Sequence, residues 1–301
     1  MRTEGVRKVA KQKSKNFEPN AGSHEVLSTK GKVGRMICTA VLVLYTLITI
    51  FVIVVTILDS LKTKSDLVSN FVGFPKEISL ASYQAVLVEG DFPRYFANSL
   101  ILTVFGTTGC ILLSSMAAYG IARYNFKGKG ILTAYFMIGM MVPVQVSILP
   151  LFIILRTIGL LNKLPGLILV YISGISMSCL IFQKFFRTIP TALEESARLD
   201  GCHDLKVFFK IILPITKPVI FTMALITAIG EWNDFYMPMV LLGSKKTTTL
   251  TLAIYRYIGQ FTRYMSESMA AVVITLIPII ILYFAFNTQI VEGLTGGAVK
   301  G

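Results

Sequence analysis

Long apolar runs recur along this chain, and their lengths fix the kind of molecule it builds. Ile37 to Leu58 holds no charged side chain. As a helix it would span roughly 33 Å, enough to cross a hydrocarbon core of about 30 Å. Similar runs extend over Tyr95–Ala122, Ile131–Leu155, Leu164–Gln183 and Ser268–Val291. A further run starts near Val219, meets Glu231 after a short apolar stretch and resumes over Phe235–Gly243. The pattern predicts an all-α polytopic membrane protein with six transmembrane helices. Pro143 and Pro150 predict a kink or break in the third span.

One polar segment carries a helical pattern of its own, between the fourth and fifth spans at about 187–218. Thr191 and Glu194 fit a capping box, which starts a helix there. Glu194 and Arg198 are spaced to pair at i and i+4, and Gly201 is placed to stop the helix, giving Ala192 to about Asp200. Ala192, Ser196 and Leu199 share one face, and Glu195 projects from a neighbouring one. Leu205, Phe208, Phe209 and Ile212 then fall at i, i+3, i+4 and i+7, an interfacial amphipathic pattern with Lys206 and Lys210 elsewhere on the surface. Pro214 and Pro218 redirect the chain into the fifth span.

Composition agrees with a membrane domain. The 301 residues are 54% hydrophobic and 15% charged, with mean hydropathy +0.69. The net charge of +13 would suggest nucleic acid in a soluble protein. No basic segment with interleaved aromatics is present to support that reading, and no nucleic-acid partner is expected. In a membrane protein the excess cations set topology. With the N-terminus inside, 19 Lys and Arg fall in residues 1–36, 123–130, 184–218 and 292–301, against 10 in 59–94, 156–163 and 231–267. Both termini are therefore expected in the cytoplasm. Residues 1–36 form a basic arm, expected to be disordered or to lie on anionic lipid headgroups. It is too long and polar for a signal peptide, so the first helix is expected to be retained. Residues 37–291 form the transmembrane domain, and 292–301 a short tail.

Candidate catalytic chemistry is thin. Cys38, Cys110, Cys179 and Cys202 form no C-x-x-C pair, and His24 and His203 are too far apart for a zinc site. No G-x-x-x-x-G-K-[ST] loop exists to cradle a nucleotide. The chain is expected to bind no metal or cofactor itself and to be no enzyme on its own.

The polar segment also carries a resemblance. Glu195-Ser196-Ala197, three residues, Gly201, nine residues, then Ile211, Leu213 and Pro214 resembles the EAA loop of ABC importer permeases at every spacing. Ser196 stands where that family usually has Ala. Glu231-Trp232-Asn233-Asp234-Phe235 with Pro238 resembles the fifth-helix region of carbohydrate-type permeases, and Asn98-Ser99-Leu100 also fits. The stretch Gly293–Gly301 resembles the tail of the maltose-transporter-like second permease subunit. The resemblance implies the type I ABC importer permease fold in a bacterial cytoplasmic (inner) membrane. It implies a second homologous permease, two ABC ATPase subunits that hold ATP and Mg, and an extracytoplasmic sugar-binding protein as partners. It makes Glu194, Glu195, Ser196, Ala197, Asp200, Gly201, Leu213 and Pro214 the ATPase-coupling residues. Glu195 would supply charged contacts, Ala197 a close approach and Gly201 the turn.

For the solute path the candidates are Glu231, Trp232, Asn233 and Gln145, polar groups at membrane depth. Trp232 either stacks on a sugar ring or sits at the outer interface. Gln145 either lines the path or bonds a neighbouring helix. A permease for a non-sugar solute such as glycerol phosphate is the nearest alternative. A membrane-embedded lipid transferase built on Glu194, Glu195, Asp200 and Asp204, and a channel, are the others.

Overall fold

The structure is a computed structural model. It describes residues 29–259 and 264–296, and helices and turns are the regular structure among them. Most of the basic arm and the end of the tail lie outside the described residues. The chain divides into two units, 1–54 and 55–301. The first contains most of helix α1, Thr29–Ser60, whose stretch Val33–Ser60 has mean hydropathy 3.0 and is long enough to cross a membrane.

The second unit is built around α2, Phe92–Arg123, a 32-residue helix of about 48 Å. Around it come α3 (Lys129–Met141), α4 (Val144–Thr157), α5 (Leu164–Ser173) and α6 (Ser176–Phe186). They are followed by α7 (Ala192–Leu199), α8 (Asp204–Val207), α9 (Lys217–Asn233), α10 (Tyr236–Leu241), α11 (Leu250–Ile258) and α12 (Met265–Gly296). Helix α2 packs on α5, α6 and α9. Its buried positions are rich in small residues, among them Ser99, Thr103, Gly106, Thr107, Ser114, Ser115 and Ala118. Small side chains let helix backbones approach where apolar burial alone gives no drive in lipid. Gly109 illustrates this, because a Cβ there would stand 2.5 Å from the Ile172 side chain. Near the start of α2, Asn98 donates to the carbonyls of Lys246 and Thr248, both at 2.9 Å, and Ser99 Oγ accepts from the Leu250 amide. The Asn-Ser pair thus holds the loop that leads into α11.

Two of the expected spans are bent, and the polar segment before the fifth meets it at an angle. The Ile131–Leu155 run turns by 103° between α3 and α4. Val142 is extended there and Pro143 opens α4. Pro150 lies inside α4, so Pro143 alone makes the break. The fourth run bends by 41° between α5 and α6, at Gly174 and Ile175. The segment Asp204–Ile215 meets α9 at 80°. Among the described residues only Val33–Ser60 and Phe92–Arg123 are single helices long and apolar enough to cross a membrane.

Candidate functional site

Two places in the second unit gather the polar residues singled out in the sequence. The first is α7. It forms as expected, over Ala192–Leu199, and its end is a Schellman turn. The Gly201 amide donates to Arg198 O and the Cys202 amide to Ala197 O, both at 3.0 Å. Gly201 has φ +80°, a conformation that favours glycine. The start differs from expectation. Thr191 has helical backbone angles and makes no side-chain cap, so the capping box does not form. Glu194, its expected partner, turns inward instead.

Glu194 is 2% exposed. Its Oε1 lies 2.6 Å from Arg123 Nε at the end of α2. The distance is short but the angle is outside that of a hydrogen bond, so the contact is an ion pair. Tyr119, also on α2, donates its hydroxyl to Glu194 Oε2 at 2.9 Å. Arg123 Nη2 donates to Ile189 O at 2.8 Å. The expected i,i+4 pair with Arg198 is present but long, at 3.8 Å. Arg198 Nε donates instead to Asp204 Oδ1 at 2.9 Å. Hydrogen bonds from Tyr124 and Arg198 hold the Asp204 carboxyl below its ordinary range.

These contacts sort the predicted coupling residues by face. Glu194 and Ala197, three apart, face the protein's own core, and Ala197 packs with Tyr119, Phe186 and Phe208. These two expected coupling residues are thus covered by the chain's own bundle. Ala197 does give a close approach, but to its own bundle. Glu195, Ser196, Asp200 and Gly201 are exposed, Leu213 is half-buried and Pro214 is exposed.

The stretch after α7 also departs from expectation. Phe208–Ile212 forms a π turn. Its wider turn shifts the helical register, so Val207, Phe208 and Ile212 are buried while Leu205 and Phe209 are 56% and 44% exposed. Leu199, four residues after Glu195 on α7, is 89% exposed.

The second place is the end of α9. Glu231 accepts a hydrogen bond from Thr107 of α2 at 3.0 Å. Gly106 makes room for it, since a Cβ there would stand 2.7 Å from Glu231 Oε2. Asp234 caps α10, its Oδ1 accepting from the amides of Tyr236 and Met237. Its Oδ2 accepts from the Tyr171 hydroxyl at 3.0 Å. Glu231, Asn233, Asp234, Tyr171, Val144 and Met237 line a cavity of about 320 Å³ where α9 breaks. Irregular backbone at membrane depth is tolerated where it lines a cavity or is buried in protein.

Trp232 is not part of this cavity. Adjacent helical residues point about 100° apart, and Trp232 is 4% exposed, edge-on to Phe96 at 5.7 Å in a core with Leu250 and Ala270. It lines a separate, largely apolar cavity of about 570 Å³ with Phe96, Leu100, Thr103 and Ile274. Gln145 is exposed one residue beyond the cavity-lining Val144. Sequence reasoning missed Tyr119, Arg123, Thr107 and Tyr171. Arg123 had been weighed only as a topology charge, and a buried tyrosine in an apolar run has no pattern that marks it.

Comparison with known proteins bears on what these places serve. The family model described as binding-protein-dependent transport system inner membrane component matches residues 110–295. The arabinooligosaccharides transport system permease protein AraQ of Bacillus subtilis is 32% identical over 278 residues, covering 91% of this chain and 99% of that protein. The multiple sugar-binding transport system permease protein MsmG of Streptococcus mutans is 33% identical, covering 82% and 91%. In fold, the chain is similar to a chain of a bacterial ABC transporter involved in the import of the acidic polysaccharide alginate. The TM-score there is 0.76 at 22% identity, covering 87% of this chain and 98% of that one. By the span of the family match and by these full-length relatives, the chain belongs to the binding-protein-dependent transport system inner membrane components, the integral membrane permeases of ABC transporters.

Proposed function

We propose that this chain is a permease subunit of an ATP-driven importer of a sugar or oligosaccharide, coupled to an ATPase subunit through the exposed face of α7. In this reading it has six spans with both termini in the cytoplasm of a bacterium. It forms half of a path with a second homologous permease, above two ATPase subunits that hold ATP and Mg. An extracytoplasmic binding protein delivers the solute. The sugar class is supported by relatives named for arabinooligosaccharides and multiple sugars.

The carrying observation is the outward surface of α7. Glu195, Ser196, Leu199 and Asp200 are exposed on α7, and Leu205 and Phe209 are exposed on the segment that follows it. Apolar side chains grouped around a charged rim suit a protein partner better than water. Gly201 and Pro214 frame this surface, and Leu213 anchors it. Glu195 would make the charged contact. The acids of the segment do not converge as a transferase's metal site requires: Glu194 is spent on Arg123 and Asp204 on Arg198.

The α9 cavity is the candidate solute contact, with Glu231 and Asn233 from the sequence and Tyr171 and Asp234 added by the structure. Carboxyl, amide and phenol groups with no cation among them suit a hydroxyl-rich neutral solute better than glycerol phosphate, because they exchange hydrogen bonds with hydroxyls and offer an anion no counter-charge.

The test is affinity purification from native membranes in mild detergent, with native mass spectrometry. Wild type should carry a second permease and two ATPase copies. Glu195→Lys should lose the ATPase while keeping the permease partner. A chain recovered alone, with the variant indistinguishable from it, would sink the importer reading.

A further inference from the structure

The buried charges behind α7 have no role in docking, and they demand an explanation. Helix α7 has eight residues, and Glu194 and Ala197 are its buried ones. An alanine buries little surface, so apolar packing alone holds this helix weakly. What ties it down is charged: Glu194 between Arg123 and Tyr119, at 2.6 and 2.9 Å. Arg123 is itself 7% exposed and also holds the Ile189 carbonyl that precedes α7. Tyr119 is wedged among Phe186, Phe208 and Tyr124 at ring distances of 5.2–6.1 Å.

The two close partners of Glu194, Arg123 and Tyr119, stand on α2. Sixteen residues back along that helix, roughly 24 Å away, Thr107 holds Glu231 and Gly106 lies against it. One straight element therefore touches α7 at its end and the solute cavity at its middle. Greasy contacts slide, whereas directed ion pairs and hydrogen bonds fix one register.

We propose that Tyr119, Arg123 and Glu194 form a tether that passes displacement of α7 to α2 and so to the Thr107–Glu231 wall of the cavity. This rests on the importer reading above and makes the three residues positioning residues of the coupling device, not contacts to the ATPase. The tether converts the work of a docked partner into movement of a spanning helix.

The experiment uses the assembled importer, reconstituted in liposomes with its binding protein, and reads solute transported per ATP hydrolysed. Glu194→Gln and Arg123→Gln should keep the ATPase subunits by native mass spectrometry and lower transport per ATP by about tenfold. The double reversal Arg123→Glu with Glu194→Arg should recover part of the loss. Tyr119→Phe keeps the ion pair and the ring packing and should fall by about threefold, toward the low end of typical coupling. It also serves where the charge variants fail to assemble. Wild-type transport per ATP in Tyr119→Phe and in the charge variants that assemble overturns the tether. So does loss of ATPase subunits from Glu194→Gln, which would make Glu194 a docking contact. Neither result touches the importer reading, which fails only if wild type itself carries no ATPase.

Discussion

Glu194 and Glu195 are neighbours in sequence and opposites in circumstance. One is buried against Arg123 and the other faces solvent. The sequence pattern marked both as coupling residues because it records spacing, and spacing does not say which face meets the bundle. What decides is the guanidinium of Arg123, about seventy positions earlier, whose position no local pattern reveals. That long-range pairing also explains why the capping box fails: Glu194 Oε atoms already serve Arg123 and Tyr119, so they do not reach back to Thr191. Gly201 was legible, because a stop signal is local. Its φ of +80° with open space around it means that a substitution costs backbone strain and no clash. Gly201→Ala should therefore destabilise the α7 end by about 1–2 kcal/mol. Hydrogen exchange should locate the loss at the Gly201 and Cys202 amides that close the turn. Unchanged protection there would mean the turn is not what holds the helix end.

At the scale of elements, the segment from α7 to α9 is predicted as two amphipathic helices, and both form: α7, and a second over Asp204–Ile215 whose middle, Phe208–Ile212, is a π turn. A period of 3.6 groups Leu205, Phe208, Phe209 and Ile212 on one interfacial apolar face; the protein buries Phe208 and Ile212 and leaves Leu205 and Phe209 exposed. The π turn widens the period locally, and side-chain identity carries no sign of it. Arg198 bridges the two pieces by its 2.9 Å bond to Asp204. The carboxyl of Asp204 is held below its ordinary range, first by the hydrogen bond from Tyr124 and then by that from Arg198. A depressed pKa means the link stabilises fully above the unfolded value of about 3.9 and fades as pH falls through the lower folded value. Asp204 is half-exposed, so solvent screens much of the effect. Amide protection in 198–207 should drop as pH falls below about 4, once corrected for intrinsic exchange. Asp204→Asn should show lower protection at neutral pH and a flatter acid response. Identical curves for the two proteins would show that the link adds nothing.

For the whole molecule, the apolar runs announced a polytopic helical protein, and the long helices α1 and α2 lie where the charge-free stretches do. The 103° turn at Pro143 and the 80° turn before α9 were foreshadowed by prolines, but their sizes were not, because a bend angle is set by what the two halves pack against. The same limit applied to the cavity. Glu231 and Asn233 stood out as polar groups in an apolar run, whereas Tyr171 joins them only because α5 and α9 both lie against α2. The resulting wall holds two carboxylates, Glu231 and Asp234, and no cation among its lining residues. A neutral sugar can donate hydroxyls to such a wall. An acidic sugar finds no cation there to offset its charge, and any carboxylate charge on the wall costs it about 1 kcal/mol at contact distance at the dielectric of water. If this wall meets the solute, Glu231→Gln combined with Asp234→Asn should raise uptake of an acidic sugar relative to its neutral counterpart by about fivefold, the equivalent of about 1 kcal/mol. Glu231→Gln keeps an acceptor for Thr107, and in Asp234→Asn the amide oxygen keeps the α10 amides while its NH2 can donate to the Tyr171 oxygen; the readout is a ratio that expression level does not move. A ratio unchanged from wild type would take the cavity off the solute path, and selectivity would then lie with the partner permease or with the binding protein that delivers the sugar.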